Sequence, residues 1–565
     1  MKDSTLTTRS RFSFTHLLLL TPILIFGFYW SKYAVDVPWF DDFEVIPGFL
    51  LQWINAKTWS EKLHWLFWPN NEHRMAYGKL LAVLQYSLTG TLNFRWLEGL
   101  ANLSVVGVAG LFWLAFRRLN QPAWCFLPVV LLLFQPQYHL LSFWTITGLQ
   151  HQPVVFFGCL SMYWLARGST RALVWALLLG GVATFTMSNG MFVWAAGAGV
   201  LLVQRRWAHL LAWLLGSVGA MGAYFYQFPA NTANARSFTR FLEHPELSLV
   251  GLFTFWGASF DVNLGRTLFQ RAALPTLAGV ILLVGMLIWA WRQAVPWLID
   301  RTLPRPIPAR EQTTGFLLGV FFFLLVNALV IAVLRPHFGY DVLLLSNYRL
   351  YPILALVLAY LMVLTQQKVG LSRPLVLGLI GAALVFNLVS YWAFTPQVAQ
   401  RRADLLARVF NQNYAGIGLG ATRGDIGLET GIENTFRELI RRGIYQPPLL
   451  FNPDAPPGTT TATDTNRIRR VESDALRVVF EARPENAQSN QYVFLKGQRD
   501  RYLYLFRGSG APRRNPFGKP APTYATIPLP ELRPSPYRVG ILTTTGQKVR
   551  LVWTGEQLQT MNNEE

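Results

Sequence analysis

Between residues 15 and 394 the chain returns repeatedly to apolar runs near the ~20 residues a helix needs to cross a bilayer, and this pattern leaves it few other ways to fold. The runs fall at 15–30, 97–116, 122–143, 151–166, 172–187, 190–204, 207–228, 273–291, 313–334, 349–366 and 374–394. They predict a polytopic α-helical membrane protein with about eleven spans of roughly 20 residues each. Composition agrees: 52% of residues are hydrophobic, 21 are Trp and 40 Phe, and mean hydropathy stays at +0.28 although a polar tail is averaged in.

The basic residues between the runs give the orientation. Lys2, Arg9 and Arg11 precede the first run, and later clusters fall at Arg117/Arg118, Arg167/Arg171, Arg205/Arg206, Arg292 to Arg310 and Lys368/Arg373, on alternate connections throughout. Positive charge stays inside, so the N-terminus is expected in the cytoplasm and residues 32–95 outside. No small-x-small cleavage site follows Trp30 and many apolar runs come later, so the first segment is expected to remain as an anchor. The net charge of +20 sits largely in these connections, where it meets anionic lipid headgroups and does not call for nucleic acid. Cys125 and Cys159 both fall within predicted spans, as packing residues and not as a disulfide.

Two parts follow from this layout: a transmembrane module at 1–395 and an extracytoplasmic α+β soluble domain at 396–565 with a β-rich end. In the first outer loop, 32–95, Phe43–Ile54 and Met75–Leu88 are apolar but too short to span, and are expected to lie in the membrane interface. Residues 247–260 are likewise expected to be interfacial or re-entrant. The tail predicts helices at 397–410 and 429–442, a Pro/Thr/Asp-rich linker at 452–466, and strands at 476–481, 491–496, 501–506, 537–543 and 548–553. Its glycine series at 416–420 misses the dinucleotide spacing by one position and reads as a loop.

The chemistry-bearing residues gather at the outer ends of the spans. Pro38-Trp39-Phe40-Asp41-Asp42-Phe43-Glu44 places three carboxylates just past the first run. Adjacent carboxylates near lipid raise each other's pKa, so Asp41, Asp42 or Glu44 can serve as a general base; the same residues could instead cap the interfacial helix that follows. His73 and Arg74 lie at the start of the second interfacial helix. Arg335 and His337 lie in the loop 335–348, and Asn347-Tyr348-Arg349 leads into the next run. Arginine suits a phosphate because its planar fork donates two hydrogen bonds, although cations here could also anchor to headgroups or snorkel. Coupled transporters keep ionisable groups near the bilayer midplane, and no span shows a clear one. The three carboxylates could hold a divalent cation, but no ligand spacing demands a metal.

Taken together, Asp41-Asp42, Asn71-Glu72-His73-Arg74, Phe143-Trp144 with Gln150, Ser188-Asn189-Gly190 and Ser346-Asn347-Tyr348-Arg349 give the chain a pattern that resembles the GT-C superfamily of polyprenyl-phosphate-sugar-dependent glycosyltransferases, and in particular a large group of bacterial inner-membrane proteins of that kind. The resemblance covers roughly residues 15–395. It implies an inverting enzyme of the bacterial inner membrane in which Asp41 or Asp42 activates the hydroxyl of a cell-envelope glycan, lipid or protein acceptor. The attacked carbon belongs to a sugar on a polyprenyl phosphate. From their own place at the outer boundary, His73, Arg74, Arg335, His337, Tyr348 and Arg349 are expected to hold that phosphate. The superfamily often has Asp-Glu where this chain has Asp-Asp with Glu44 two positions on, which leaves open which of these carboxylates is the base. The alternatives are an O-antigen-type polymerase or ligase using a diphosphate-linked oligosaccharide, and a lipid or polysaccharide flippase without covalent chemistry. Because the basic connections alternate to the end, alkaline phosphatase fused after Glu565 should be active. A silent phosphatase with a fluorescent cytoplasmic reporter at the same point would invert the topology.

Overall fold

The computed structural model describes residues 14–70, 73–229, 233–262, 265–299, 307–366, 372–420 and 426–453, and most of the β-rich end between 459 and 559. Lys2, Arg9, Arg11, Asn71, Glu72, residues 301–306, Lys368, most of the 452–466 linker and the turn-rich stretch 511–519 lie outside the described residues.

Among the described residues seven helices are long and apolar enough to cross a membrane: Phe14–Tyr33, Phe94–Leu119, Ala123–Ser142, Trp207–Phe225, Leu268–Ile299, Ala309–Phe338 and Arg373–Ala415. Thr170–Thr186, Ser188–Val203 and Leu350–Gln366 are apolar but shorter. Their outer faces carry large apolar side chains such as Phe28, Leu215, Val218, Ile281 and Trp291, each more than half exposed, as suits helices covered by lipid tails. The span Ala123–Ser142 is interrupted before Pro136, and the carbonyls freed there are not left bare. Asn387 donates its amide to Leu131 O at 2.7 Å and Phe134 O at 3.1 Å.

Pro245–Trp256, twelve residues long, is too short for a bilayer of ~30 Å and packs along Leu268–Ile299. Gly257 and Gly279 make that crossing close: a Cβ built on Gly279 would stand 1.8 Å from Phe253 O, and one on Gly257 2.0 Å from Pro275 O.

The first outer loop is more helical than its sequence suggests. A π-helical turn, Glu44–Gly48, accommodates Pro47 and runs into the helix Phe49–Asn55; Trp59–Phe67 adds a further helix, and Ala76–Thr89 forms the last. Thr58 starts the Trp59–Phe67 helix by accepting from Glu61 N, a cap that the sequence analysis passed over.

Pro396 does not start a new helix. Arg373–Ala415 is one helix of 43 residues, about 65 Å long at 1.5 Å per residue, ended by Gly416 in the left-handed region. The tail helix Ile426–Arg441 then folds back onto the first outer loop, where Ile432, Phe436 and Leu439 share a core with Val45, Ile46 and Leu50. Residues on both sides of 395 therefore contribute to one outer layer.

The described residues of the β-rich end form nine strands: β1 Thr459–Thr461, β2 Ile468–Glu472, β3 Ala475–Phe480, β4 Ser489–Gly497, β5 Leu503–Arg507, β6 Ser509–Gly510, β7 Thr523–Pro528, β8 Pro536–Thr545 and β9 Lys548–Gln559. They form two sheets, ordered β1-β9-β8-β4-β5 and β2-β3-β7-β6. Alternation sorts the first sheet's side chains. Val493, Leu495, Tyr537, Val539 and Ile541 pack with Ala525 and Ile527 of the second sheet. Tyr492, Phe494, Leu542 and Leu551 pack on Ala403, Ala407 and Phe410 of the long helix. Replacing Gly279 by Val should sharply lower the yield of folded protein in detergent, because its new carbons would meet the Phe253 carbonyl. Wild-type yield and melting temperature would show that the helices can separate there.

Candidate active site

The turn at Trp39–Asp42 sets the site. Phe40 takes a left-handed backbone, φ +50°, of a kind that costs about 1–3 kcal/mol for a non-glycine residue and persists only where neighbours enforce it. Here the enforcement is visible. Phe40 N donates to Leu419 O at 2.7 Å, and the fully buried Asp42 carboxylate accepts from Trp39 N at 2.8 Å and from Ile146 N at 2.8 Å. Trp144 Nε1 donates to Trp39 O at 3.2 Å with the two indoles 4.4 Å apart, and Arg401 of the long helix lies 4.5 Å above the Trp39 ring and 5.5 Å from that of Trp144.

Asp42 therefore does cap a helix, but the helix is Thr145–Leu165, far away in sequence, and not the interfacial one that follows it. Burial pushes its carboxyl up to about 7, against the pull of the two N–H donors. Its neighbour Asp41 lines a cavity, half-buried, its carboxylate without a hydrogen bond or ion pair among the described residues. Partial burial, reinforced by Glu44, raises the Asp41 pKa above the usual carboxylate range.

That cavity measures about 1050 Å³. Glu44 lines it and accepts from Asn70 Nδ2 at 3.0 Å. His73 Nδ1 lies 2.7 Å from Ser188 Oγ, and the backbone pair between Asn70 and His73 closes the loop that presents them. Lys79 points inward from the helix Ala76–Thr89, donating to Trp68 O at 2.7 Å and Trp65 O at 3.2 Å, with its ammonium 5.2 Å from the Phe49 ring. Burial lowers its pKa to about 7, opposed by Glu44. Opposite, the 335–348 loop supplies Arg335, Asn347 and Tyr348. Among the described residues Arg335 makes no hydrogen bond or ion pair, only an approach to the Phe338 ring at 6.0 Å; Asn347 Oδ1 is buried without a partner. Gly431, Ile432 and Thr435 of the tail helix complete the wall.

Of the site residues expected from sequence, Asp41, Glu44, His73, Arg335 and Tyr348 meet in this cavity; Asp42, Arg74, His337 and Arg349 are not part of its lining. Arg74 is held by carbonyls, its guanidinium donating to Phe67 O, Tyr226 O and, at 2.5 Å, Tyr224 O. His337 Nδ1 lies 2.6 Å from Leu334 O and 2.9 Å from Ser237 Oγ. Arg349 is buried and pairs with Asp261 Oδ2 at 2.6 Å while donating to Asp261 O and Leu344 O; Arg271 shares the same carboxylate at 2.7 Å. These partners occupy the guanidinium that was expected at a phosphate, and of the two arginines of that region only Arg335 lines the cavity.

Lys79 and the tail-helix residues were missed. A lone lysine amid MAYGKLLAVLQYSL was the available signal for the first; nothing local marks the second, which depends on how the tail folds back. The Ser188-Asn189-Gly190 motif also gains a reason, since a Cβ on Gly190 would stand 1.9 Å from Ala183 O. Among the described residues no three His, Cys, Asp or Glu side chains gather as metal ligands would.

No protein-family model matches the chain, and neither does any curated protein or solved structure.

Asp42→Asn should destabilise the fold by about 1–3 kcal/mol, because an amide cannot accept from both N–H groups and leaves one buried donor unpaired. Asp41→Asn should leave the melting temperature unchanged. Equal melting temperatures for both variants would remove the structural role of Asp42.

Proposed function

We propose that this chain is a membrane glycosyltransferase of the GT-C kind, transferring a sugar from a polyprenyl-phosphate donor to a glycan, lipid or protein acceptor on the outer side of a bacterial inner membrane. The observation that carries the reading is a carboxylate and a guanidinium in one cavity, Asp41 and Arg335, neither held by a hydrogen bond or ion pair among the described residues. Their charged neighbours outside the cavity, Asp42, Arg74 and Arg349, are held by internal partners.

In this reading the seven long apolar helices, the three shorter ones and Thr145–Leu165 all cross the bilayer, making eleven spans with the cavity at the outer face. An enzyme on that side works where nucleotide sugars are absent, so its donor is lipid-linked. The acceptor hydroxyl oxygen attacks the anomeric carbon as the bond from that carbon to the phosphate oxygen breaks. Asp41 takes the hydroxyl proton, and the leaving polyprenyl phosphate gains a negative charge that Arg335 neutralises, with His73 as a further polar group in the cavity wall. Displacement from the opposite face inverts the anomeric centre. Tyr348 and Asn347 supply further polar contacts, and Ile432 with Thr435 would face the acceptor.

Arg335 also favours a second reading, a polymerase or ligase whose diphosphate-linked donor depends on an arginine of a late outer loop. Offering purified protein a polyprenyl-monophosphate sugar and a polyprenyl-diphosphate oligosaccharide separates the two, and binding of either without turnover selects a flippase. Asp41 must be ionised to accept a proton, and its pKa is raised, so activity should fall on acidification at a pH above the ordinary carboxylate range. Asp41→Asn should lower turnover of the monophosphate donor by about 10²–10⁴ while donor affinity survives. Near-normal turnover in that variant, with intact folding, would move the base elsewhere, first to Glu44.

A further inference from the structure

A chain of buried polar groups leads from the bundle core to the cavity wall, and its donors and acceptors can be assigned one after another from a single fixed point. The fixed point is a backbone carbonyl, which can only accept. Asn327 places Nδ2 2.8 Å from Phe323 O, so its amide nitrogen faces that carbonyl and its Oδ1 faces the other way. The atom of Asn189 lying 2.9 Å from Asn327 Oδ1 must then be the amide nitrogen, and the same nitrogen is 2.5 Å from the Tyr351 hydroxyl. Both hydrogens of Asn189 Nδ2 are thereby used, one on Asn327 and one on Tyr351. The Tyr351 oxygen accepts, and its own hydrogen must go elsewhere.

His151 Nδ1, at 2.9 Å, is the other hydrogen-bond partner of that hydroxyl. Had Nδ1 carried the proton, the Tyr351 hydrogen would be buried with no acceptor, an arrangement that costs about 1–3 kcal/mol. The hydroxyl donates to Nδ1, and the imidazole is neutral with its hydrogen on Nε2. His151 itself is 3% exposed, lines the cavity, and its ring stands edge-on to Tyr348 at 5.6 Å. Its Nε2 has no hydrogen-bond partner among the described residues.

We infer that His151 offers a fixed, uncharged Nε2–H to an anionic phosphate oxygen in the cavity, with Tyr351, Asn189 and Asn327 as the positioning residues that hold its tautomer. The inference rests on the proposed function for the identity of the phosphate, a polyprenyl monophosphate, but not for the direction of the hydrogen bonds. A neutral donor suits a leaving phosphate beside Arg335. It adds a directed hydrogen bond as charge develops without adding a second fixed charge, so the product can still depart.

Polyprenyl monophosphate without sugar is the probe, titrated against the purified full chain, with ¹⁵N-histidine spectra recorded in parallel. His151→Phe keeps the ring volume but removes the donor and should weaken binding about tenfold or more, the usual worth of a hydrogen bond to a charged group. His151→Gln, which carries an amide N–H near the Nε2 position, should recover most of it. Tyr351→Phe should weaken binding and turn the His151 spectrum from a pure Nε2–H form into a tautomer mixture, a change that a merely structural network would not produce. A wild-type spectrum showing hydrogen on Nδ1, or folded His151→Phe binding the probe as wild type does, overturns the inference. Tight binding that depends on His151 with no sugar transfer from any donor supports it, and sinks the transferase reading alone.

Discussion

The outer half of the molecule hangs on one buried carboxylate. Asp42 joins the turn at Trp39, past the end of the first helix, to the start of Thr145–Leu165 by accepting a backbone N–H from each side, and the Arg401 guanidinium sits over the two indoles beside it. An ion with no exposure is stable only where hydrogen bonds replace its lost water, and two N–H donors plus a nearby cation do so here. The geometry they impose is local and severe: Phe40 is forced to a positive φ, and the next residue, Asp41, is delivered to the cavity wall. A single residue of register separates a carboxylate that holds the protein together from one left open to a ligand.

The same division recurs among the cations. Arg349, Arg271 and Asp261 satisfy one another below the 335–348 loop, and Arg74 is wrapped in carbonyls. Arg335, which lines the cavity, has an approach to the Phe338 ring but no hydrogen bond or ion pair among the described residues. Lys79 stands between the two conditions, anchored to two carbonyls yet lowered toward neutrality by burial. In a low-dielectric outer layer an uncommitted charge is expensive. Where two of opposite sign persist in one enclosure, a ligand that pairs with both is the natural explanation, and the proposed function follows from that economy more than from any motif.

Much of this architecture was legible because it depends on composition over many residues. Most apolar runs marked helices, although 273–291 is only part of Leu268–Ile299 and the last run continues to Ala415, and the expected strands marked β3, β4, β5 and β8 closely while β9 runs on to Gln559. What could not be read was commitment. Asp41 and Asp42 are chemically the same in sequence; the choice between them lies in Ile146 N, 104 residues away. Arg335 follows one apolar run and Arg349 opens the next, and the partner that removes Arg349 is Asp261, 88 residues earlier. Pro396 suggested a fresh start at the membrane surface, yet the helix continues through it, because packing against the outer loop and then the sheet supports both halves. The tail helix was expected at 429–442 but not as a wall of the cavity, since that follows only from the core it shares with Val45 and Leu50.

The 43-residue helix makes the outer part of the molecule a lever. One end packs among apolar helices, Arg401 lies partway along it over Trp39, and Phe410 near the other end is pressed under a β-sheet. Over a length of about 65 Å, a tilt of about one degree displaces the far end by about 1 Å. The missing backbone hydrogen bond at Pro396 gives such bending a natural pivot, just before Arg401. Lipid thickness, which sets the tilt of long apolar helices, is thereby mechanically coupled to the strained turn that carries Asp41.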